Sequence, residues 1–170
     1  MRLPVIVAAT ALLAATAHAA TGTAVLQPTT QGAEIGGTVH FEDTKDGLKV
    51  TVKLTGAPAG EHGFHIHEFG NCSDTGKAAG GHYNPLGTEH GFLPKDGEKK
   101  AHGGDMGNLK AADKAPAELT IVLPGVSLAD GKHTVGGRTI IVHEKADDFS
   151  QPTGNAGGRI ACGVIGVTGK

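Results

Sequence analysis

The feature that most restricts the fold of this chain is a two-residue alternation of apolar and polar side chains. Between Leu48 and Leu54 every second residue is Leu or Val, and the residues between them are Lys or Thr. Leu119, Ile121 and Leu123 alternate with polar neighbours in the same way. This period places the apolar side chains on one face of an extended strand. No stretch of ten residues shows a convincing helical period, so the pattern predicts half-buried β-strands.

Six more segments are predicted as strands, which makes about eight: Thr23–Gln27, Glu34–Glu42, Glu61–Glu68, Asn108–Ala112, Arg138–His143 and Ile160–Val167. Asp46-Gly47 is a hairpin signal between two of the strands. The chain contains 28 glycines, which favours strands, turns and loops over helices. We therefore predict one all-β domain, an eight-stranded antiparallel sandwich or Greek-key barrel. Phe69–Lys100 and Ala146–Gly158 resist strand assignment, and loops of this length in a compact domain are usually functional.

Charge and composition exclude one class of partner. The 170 residues include 15 Lys and Arg against 17 Asp and Glu, a net charge of −2, and no Trp. A chain with this charge balance has no excess of positive charge to bind the phosphate backbone of a nucleic acid. Five Phe and one Tyr are also few for a surface on which bases stack. Nucleic acid is therefore not an expected partner.

The N-terminus has the pattern of a signal peptide. Arg2 precedes the apolar stretch Leu3–Ala17, and Ala17-His18-Ala19 fits a small-x-small cleavage site. A membrane anchor is the alternative, but the apolar stretch is shorter than the roughly 20 residues that a spanning helix needs. We expect cleavage after Ala19, a mature domain over residues 20–170 with no membrane span, and a periplasmic or secreted protein.

Export favours a disulfide between the two cysteines of the chain, Cys72 and Cys162. Disulfides form and persist in oxidising compartments, and an even pair in an exported chain is usually bonded. Two unrelated buried thiols are the alternative.

Histidines form the most unusual group of residues. His65 and His67 alternate on a predicted strand, so both rings can reach one ion, although two surface histidines would give the same pattern. His82, His90, His102 and Asp105 follow along the chain, and His143 ends another predicted strand. Imidazole suits copper and zinc, and carboxylate with imidazole suits zinc. Six histidines and one aspartate are one ligand short of two four-ligand sites, and one imidazole that bridges two metals would make up the difference.

Five blocks of sequence carry a more specific signal: Gly63-Phe64-His65-Ile66-His67-Glu68, Gly81–Pro85, His102–Asp105, Val142–Asp148 and Gly154–Gly166. In this order and spacing they resemble the copper/zinc superoxide dismutases. The spacing of only five positions from His67 to Cys72, followed by a longer Ser73–Gly80 insertion, is similar to that of bacterial periplasmic members. The resemblance implies an immunoglobulin-like β-sandwich. It also implies dismutation of superoxide to dioxygen and hydrogen peroxide, by redox cycling of a copper ion that a histidine bridges to a structural zinc.

The resemblance also implies a role for each site residue. The copper ligands would be His65, His67, His82 and His143. The zinc ligands would be His82, His90, His102 and Asp105, with His82 as the bridge and as a proton carrier. Asp147 would link a copper-site histidine to a zinc-site histidine, and Arg159 would receive the superoxide anion. Each subunit would hold one copper and one zinc, and Cys72–Cys162 would be the disulfide within the subunit.

The chain departs from animal members of this family in two places. Residues 146–158 contain no Lys or Arg, whereas the longer loop from His90 to His102 carries Lys95, Lys99 and Lys100. We therefore hypothesise that these three lysines steer the anionic substrate, although a solvated charged stretch is an equal alternative. The region near Cys72, which animal members use for their dimer contact, also differs. A homodimer through another face and a monomer both stay open.

Three alternative hypotheses assign the same residues to other classes of protein. An exported copper-binding or copper-buffering protein on this fold would use the same ligands without turnover, but it would have no need of Arg159 beside the copper. Copper-only relatives lack zinc ligands, whereas all four are present here. A metal-free adhesion module would need neither set of ligands.

Overall fold

The computed structural model describes residues 19–112 and 115–169, so the predicted signal peptide lies outside the described residues except for Ala19. Its nine strands are β1 Thr21–Pro28, β2 Gly36–Thr44, β3 Gly47–Thr55, β4 Gly60–His67, β5 Asp105–Ala111, β6 Ala117–Leu123, β7 Thr139–His143, β8 Arg159–Val164 and β9 Gly166–Gly169. Eight of them follow the order β5-β4-β7-β8-β1-β2-β3-β6, and β9 pairs with β1. All of these pairings are antiparallel, which confirms the predicted all-β fold and its eight main strands.

Local sequence accounts for the tight β2–β3 hairpin. Thr44 pairs with Gly47 across the turn, and Gly47 has a φ of 126°, which is open to glycine and costly for other residues. A side-chain carbon at this position would also lie 2.2 Å from the carbonyl oxygen of Leu123. The Asp46-Gly47 signal therefore sets both the turn and the close approach of β6.

The predicted strand over Ile160–Val167 is two strands, β8 and β9. The backbone N–H of Ile165 leaves the ladder and donates to the carbonyl of Arg138. After this break β8 pairs with Gln27 and Pro28 of β1, whereas β9 pairs with Thr21–Thr23. Apolar residues on both sides of Ile165 hide the break from an analysis of periodicity.

The core lies between the two halves of this sheet, where the alternating apolar residues meet. Leu48, Val50, Val52 and Leu54 are at most 1% exposed, as the period-two pattern predicted. Strand β4 differs because both of its faces are buried from His62 onward. Phe64 and Ile66 join the main core, whereas His65 and His67 point to the opposite face.

Long loops cover that second face of β4. The predicted loop Phe69–Lys100 contains only two short helices, Lys77–Ala79 and Leu93–Asp96, and residues 146–158 contain no helix or strand. The predicted disulfide Cys72–Cys162 is present and joins the first loop to β8. Within residues 19–112 and 115–169 no helix is long and apolar enough to cross a membrane.

Candidate metal centre

Two groups of potential metal ligands lie side by side beneath the loops. The four-histidine group consists of His65, His67, His82 and His143, and the His/Asp group consists of His82, His90, His102 and Asp105. Within each group the ligand atoms all lie within 4.8 Å of one another. Every member is at most 6% exposed. The structure thus brings together all seven residues that the sequence analysis named as candidate ligands.

Strand register places the residues from separate parts of the chain. His65 lies opposite Ile141 of β7 on one side and opposite Asp105 of β5 on the other. His67, two residues further along the same face, forms an isolated bridge with His82. His143 ends β7, and its Nε2 lies 3.3 Å from Nε2 of His67. Three neighbouring strands therefore supply the floor of both groups.

His82 is the one residue that belongs to both of these groups. Its Nδ1 lies 2.9 Å from Oδ1 of Asp105 and 3.4 Å from Nδ1 of His102. The remaining nitrogen, Nε2, is left for the four-histidine group, and the ring centroid lies 4.0 Å from that of His65. This is the arrangement that ligand counting required for a bridging imidazole.

Two buried nitrogens point to ions in both groups. Nδ1 of His65 and Nδ1 of His90 are buried and have no hydrogen-bond partner among the described residues. Nδ1 of His90 lies only 2.9 Å from Oδ2 of Asp105, but without the alignment of a hydrogen bond. Buried polar atoms without a partner are costly and rare, and coordination of a cation satisfies such nitrogens. Four imidazoles suit copper, and three imidazoles with one carboxylate suit tetrahedral zinc, so the residues fit both metals.

Two aspartates orient the histidine rings. Oδ2 of Asp105 accepts the backbone N–H groups of Gly91 and His102, each at 2.9 Å. Asp147, which is 3% exposed, accepts a hydrogen bond from Nε2 of His65 at 2.8 Å and another from Nε2 of His90 at 2.9 Å. Asp147 therefore links one histidine of each group on the side of the ring away from the other ligands. The nitrogens left to face the metal positions are the Nδ1 atoms of His65 and His90. Outer carboxylates of this kind select the tautomer of a ligating histidine.

Burial keeps the four-histidine group neutral. It lowers the pKa of His67 to about 2, of His143 to about 3 and of His82 to about 4, and neighbouring histidine charges lower the pKa values further. Neutral imidazole is the form that binds metals.

The His/Asp group holds charge even without an ion. Burial opposes protonation of His90, but the nearby carboxylates of Asp105 and Asp147 outweigh it and raise its pKa to about 9. Burial likewise opposes ionisation of both aspartates, but hydrogen bonds from the histidines hold the pKa of each well below its usual range. A proton on His90 thus takes the place of a cation between two carboxylates, and metal binding would release it.

Arg159 stands at the entrance of the four-histidine group. It borders a cavity of about 190 Å³ together with His67, His82 and His143. Its two terminal nitrogens donate to the carbonyl oxygens of Gly76 and Gly80. Both glycines lie in the loop that the disulfide joins to β8, the strand that Arg159 begins. The guanidinium is half-buried, and burial lowers its pKa, but a guanidinium stays charged at neutral pH.

The three lysines of the steering hypothesis lie elsewhere. None of them borders this cavity. Lys95 borders a separate cavity of about 410 Å³, on the side of His90, together with Phe92 and Phe149. Lys145 does not border the cavity itself, but its side chain lies next to Gly157, one of the lining residues, 3.3 Å from where a side-chain carbon on that glycine would lie. The sequence analysis did not single out Lys145.

Sequence reasoning also missed two contacts to His90, from Phe149 and Gln151. The ring of Phe149 stacks on that of His90 at 6.2 Å, and the side-chain amide of Gln151 bonds both backbone groups of His90. No motif or period marks either residue. His62 has a structural role, because its ring nitrogens lie 2.8 and 2.9 Å from the carbonyl oxygens of His143 and Pro58.

Comparison with known proteins agrees with this geometry. Residues 35–165 match the family model described as copper/zinc superoxide dismutase (SODC). The solved structure of a protein named the clock protein EA4 is 37% identical, with a TM-score of 0.78, over 92% of this chain and 100% of that chain. The family match spans far more than half of the chain and includes every residue of both ligand groups. The chain therefore belongs to the copper/zinc superoxide dismutase family.

Proposed function

We propose that this chain is an exported superoxide dismutase, which converts two superoxide anions and two protons into dioxygen and hydrogen peroxide. The observation that carries the proposal is Arg159 at the entrance of the four-histidine group, bordering the same cavity as three of its histidines. A fixed cation in front of an open metal position is what an anionic substrate needs. Family membership supports the same reaction.

In this proposal His65, His67, His82 and His143 hold copper, and His82, His90, His102 and Asp105 hold zinc. When bound, copper would supply the one-electron redox chemistry that dismutation needs. Zinc has no redox chemistry, so its role in the His/Asp group would be structural. The metals themselves follow from the family and from the donor sets.

The protein contributes a positive charge and a group that can hold a proton. Arg159 attracts and orients the anion, while its bonds to the Gly76 and Gly80 carbonyls keep the guanidinium in place. His82 is the residue best placed to hold a proton for the departing peroxide at Nε2, because Nδ1 stays with Asp105. The cavity that Arg159 borders, about 190 Å³, has room for a diatomic anion beside the histidines.

Pulse radiolysis of the mature protein loaded with copper and zinc tests this function. We expect a rate near the diffusional ceiling of roughly 10⁹ M⁻¹s⁻¹. Arg159→Ala should lower the rate modestly, Arg159→Lys should lower it less because the charge remains, and His143→Ala should abolish it. A folded, fully metallated protein with no rate above background would contradict the proposal.

That result would favour the second candidate, a copper-binding or copper-buffering protein without turnover. The two ligand groups suit either function. A protein of similar structure is named the clock protein EA4, so not every protein with this fold is named as a dismutase. Copper binding of equal strength in wild type and Arg159→Ala, without turnover in either, would be expected for such a protein.

Steering by Lys95, Lys99 and Lys100 stays a prediction. Because these lysines do not border the cavity, they would attract the anion only by electrostatic interaction over a distance. Salt screens such interactions beyond about 8 Å at physiological ionic strength. Changing all three to glutamine should lower the rate and weaken its dependence on salt. Lys145→Gln is the comparison variant, because this lysine lies next to Gly157, which lines the cavity that Arg159 borders. If only Lys145→Gln lowers the rate, the hypothesis is wrong for the loop lysines.

Export also stays a prediction, since residues 1–18 lie outside the described residues. Expression of the full chain in a bacterium should place a protein that begins at Ala20 in the osmotic-shock fraction. The intact mass identifies the cleavage site. An uncleaved chain in the cytoplasmic fraction would contradict both the signal peptide and the predicted localisation.

A homodimer is the remaining open prediction. Val25, Val164 and Val167 lie on β1, β8 and β9 and are 58%, 43% and 46% exposed. Contiguous apolar patches can mark a protein–protein contact, and we propose these neighbouring strands as the face that a second copy would cover. Sedimentation of wild type and Val164→Lys decides this, because a monomer in both cases would contradict a dimer through these strands.

A further inference from the structure

Residues Phe149 and Gln151 hold the ligand His90 from a loop that is distant in sequence. His90 is 4% exposed and lies outside every strand. Its ring is fixed on one edge by Asp147, with hydrogen bonds from Nε2 to both carboxylate oxygens at 2.9 and 3.1 Å. The backbone and the ring face of His90 need other partners, and residues 149–151 provide both.

Gln151 brackets the backbone of His90 with its side-chain amide. Oε1 of Gln151 accepts the N–H of His90 at 2.9 Å, and Nε2 donates to the carbonyl of His90 at 2.9 Å. One side chain therefore satisfies both backbone groups of a residue whose ring lies in the metal centre. This two-point contact fixes the position and the rotation of His90 relative to the 146–158 loop.

Phe149 covers the ring of His90. The two rings are nearly parallel, with an interplanar angle of 18° and centroids 6.2 Å apart, which is an offset stack. Phe149 has a φ of 59°, unusual for an aromatic residue, and its N–H donates to Oδ1 of Asp147 at 2.8 Å. The same backbone turn thus places the ring on His90 and a donor on the carboxylate behind it.

From these contacts we infer that Gln151 and Phe149 are positioning residues for His90, and that they preorganise the His/Asp group to bind zinc. The inference rests on the proposed assignment of zinc to that group. With the ring edge, ring face and backbone all held, Nδ1 of His90 is the atom left to face the ion, and it has no hydrogen-bond partner. Removal of such outer partners weakens metal binding by about 10- to 100-fold in other proteins.

Zinc affinity of the mature chain, measured with copper already bound and a chromogenic chelator as competitor, tests the inference. We expect Gln151→Ala to raise the dissociation constant for zinc about tenfold or more. Gln31→Ala is the matched control, because it makes the same change at an exposed turn residue and should leave zinc affinity unchanged. Copper affinity, measured in the same way, should stay within twofold in both variants.

Two further variants separate positioning from folding. Gln151→Glu keeps the shape and the acceptor for the His90 N–H but loses the donor, so it should weaken zinc binding even if Gln151→Ala does not fold. Phe149→Asn suits the positive φ and keeps the N–H to Asp147, and it should raise the zinc dissociation constant about 2- to 10-fold through loss of the stack. The visible spectrum of the cobalt-substituted site should change in both, since it reports ligand geometry.

Zinc dissociation constants within twofold of wild type for both Gln151 variants, with an unchanged cobalt spectrum, would overturn the inference. Equal losses of zinc and copper affinity would also overturn it, because they would indicate general destabilisation. If wild type itself binds no zinc, the assignment of zinc fails first and the inference fails with it. Superoxide turnover is not part of the test, so its absence would contradict only the proposed reaction.

Discussion

Replacing both Cys72 and Cys162 by alanine should lower the free energy of unfolding of the metal-free protein by about 4 to 5 kcal/mol. The disulfide joins residues 90 positions apart, and the chain-entropy model gives about 4.6 kcal/mol at 25 °C for a loop of this size. Folded domains are stable by roughly 5–15 kcal/mol, so the variant should keep its fold with a small margin. For a domain of this length the loss corresponds to a Tm lower by about 9–18 °C.

Urea unfolding at 25 °C, followed by far-UV circular dichroism, measures this loss. Wild type in a thiol reductant should approach the variant, whereas the variant itself should not respond to the reductant. A loss below about 1 kcal/mol with an unchanged m-value would refute the reasoning, because it would mean that the bond does not restrict the unfolded chain.

The same variant tests how the disulfide supports the site. Cys72 lies in the same loop as Gly76 and Gly80, whose carbonyl oxygens accept hydrogen bonds from the Arg159 guanidinium. Without the bond this loop is free to leave β8, so the anion affinity should fall while the copper ligands stay in place. Azide binding to the copper-loaded protein should weaken, and unchanged binding would show that the loop holds Arg159 without the disulfide.

Three further predictions concern the metal centre. Asp147→Ala removes the partner of two ligand rings and should weaken zinc binding about 10- to 100-fold in a chelator competition; an unchanged affinity would deny Asp147 a part in orienting His90. Chelation of both metals should lower the Tm, because ions that bind only the folded state stabilise it. The loss should be about 8 °C or more for each metal whose free concentration was 1,000 times its Kd. An unchanged Tm after addition of the chelator would mean that neither group binds a metal tightly. The metal-free protein should be most stable near pH 6.5. Below it the neutral histidines, with folded pKa values of about 2 to 4, favour unfolding because the unfolded chain binds more protons. Above it His90 loses its stabilising proton as the pH rises toward its folded pKa of about 9. Urea midpoints at pH 4, 6.5 and 9 check this, and equal midpoints would contradict it.

Local patterns predicted the strands well because each depends on nearby residues. The alternation from Leu48 to Leu54 corresponds to β3 with its apolar face buried, and Asp46-Gly47 corresponds to the turn before it. The break at Ile165 escaped prediction because it arises from a backbone bond to Arg138, far away in sequence. Periodicity carries no information about which strand a segment pairs with.

The residues of the candidate site also fall into those that the sequence predicted and those that only the structure revealed. Residue types and the family resemblance identified the ligands, Asp147, Arg159 and the cysteines, because those roles need particular side chains. Gln151 and Phe149 remained unnoticed, because a glutamine amide and a phenyl ring in a loop gain a role only from what the fold places against them. The loop lysines were chosen by charge alone, and the fold places none of them at the cavity that Arg159 borders.

The sequence by itself determined the all-β class, the turn chemistry and the donor atoms available for two metals. These properties follow from backbone period, glycine conformation and the chemistry of imidazole and carboxylate, which act over a few residues. Only the tertiary structure decided which nitrogen of each histidine faces an ion, which carbonyls hold Arg159 and which loop residues hold His90. Such choices depend on distances between segments as far apart as Gly76 and Arg159, and packing of the whole chain sets those distances.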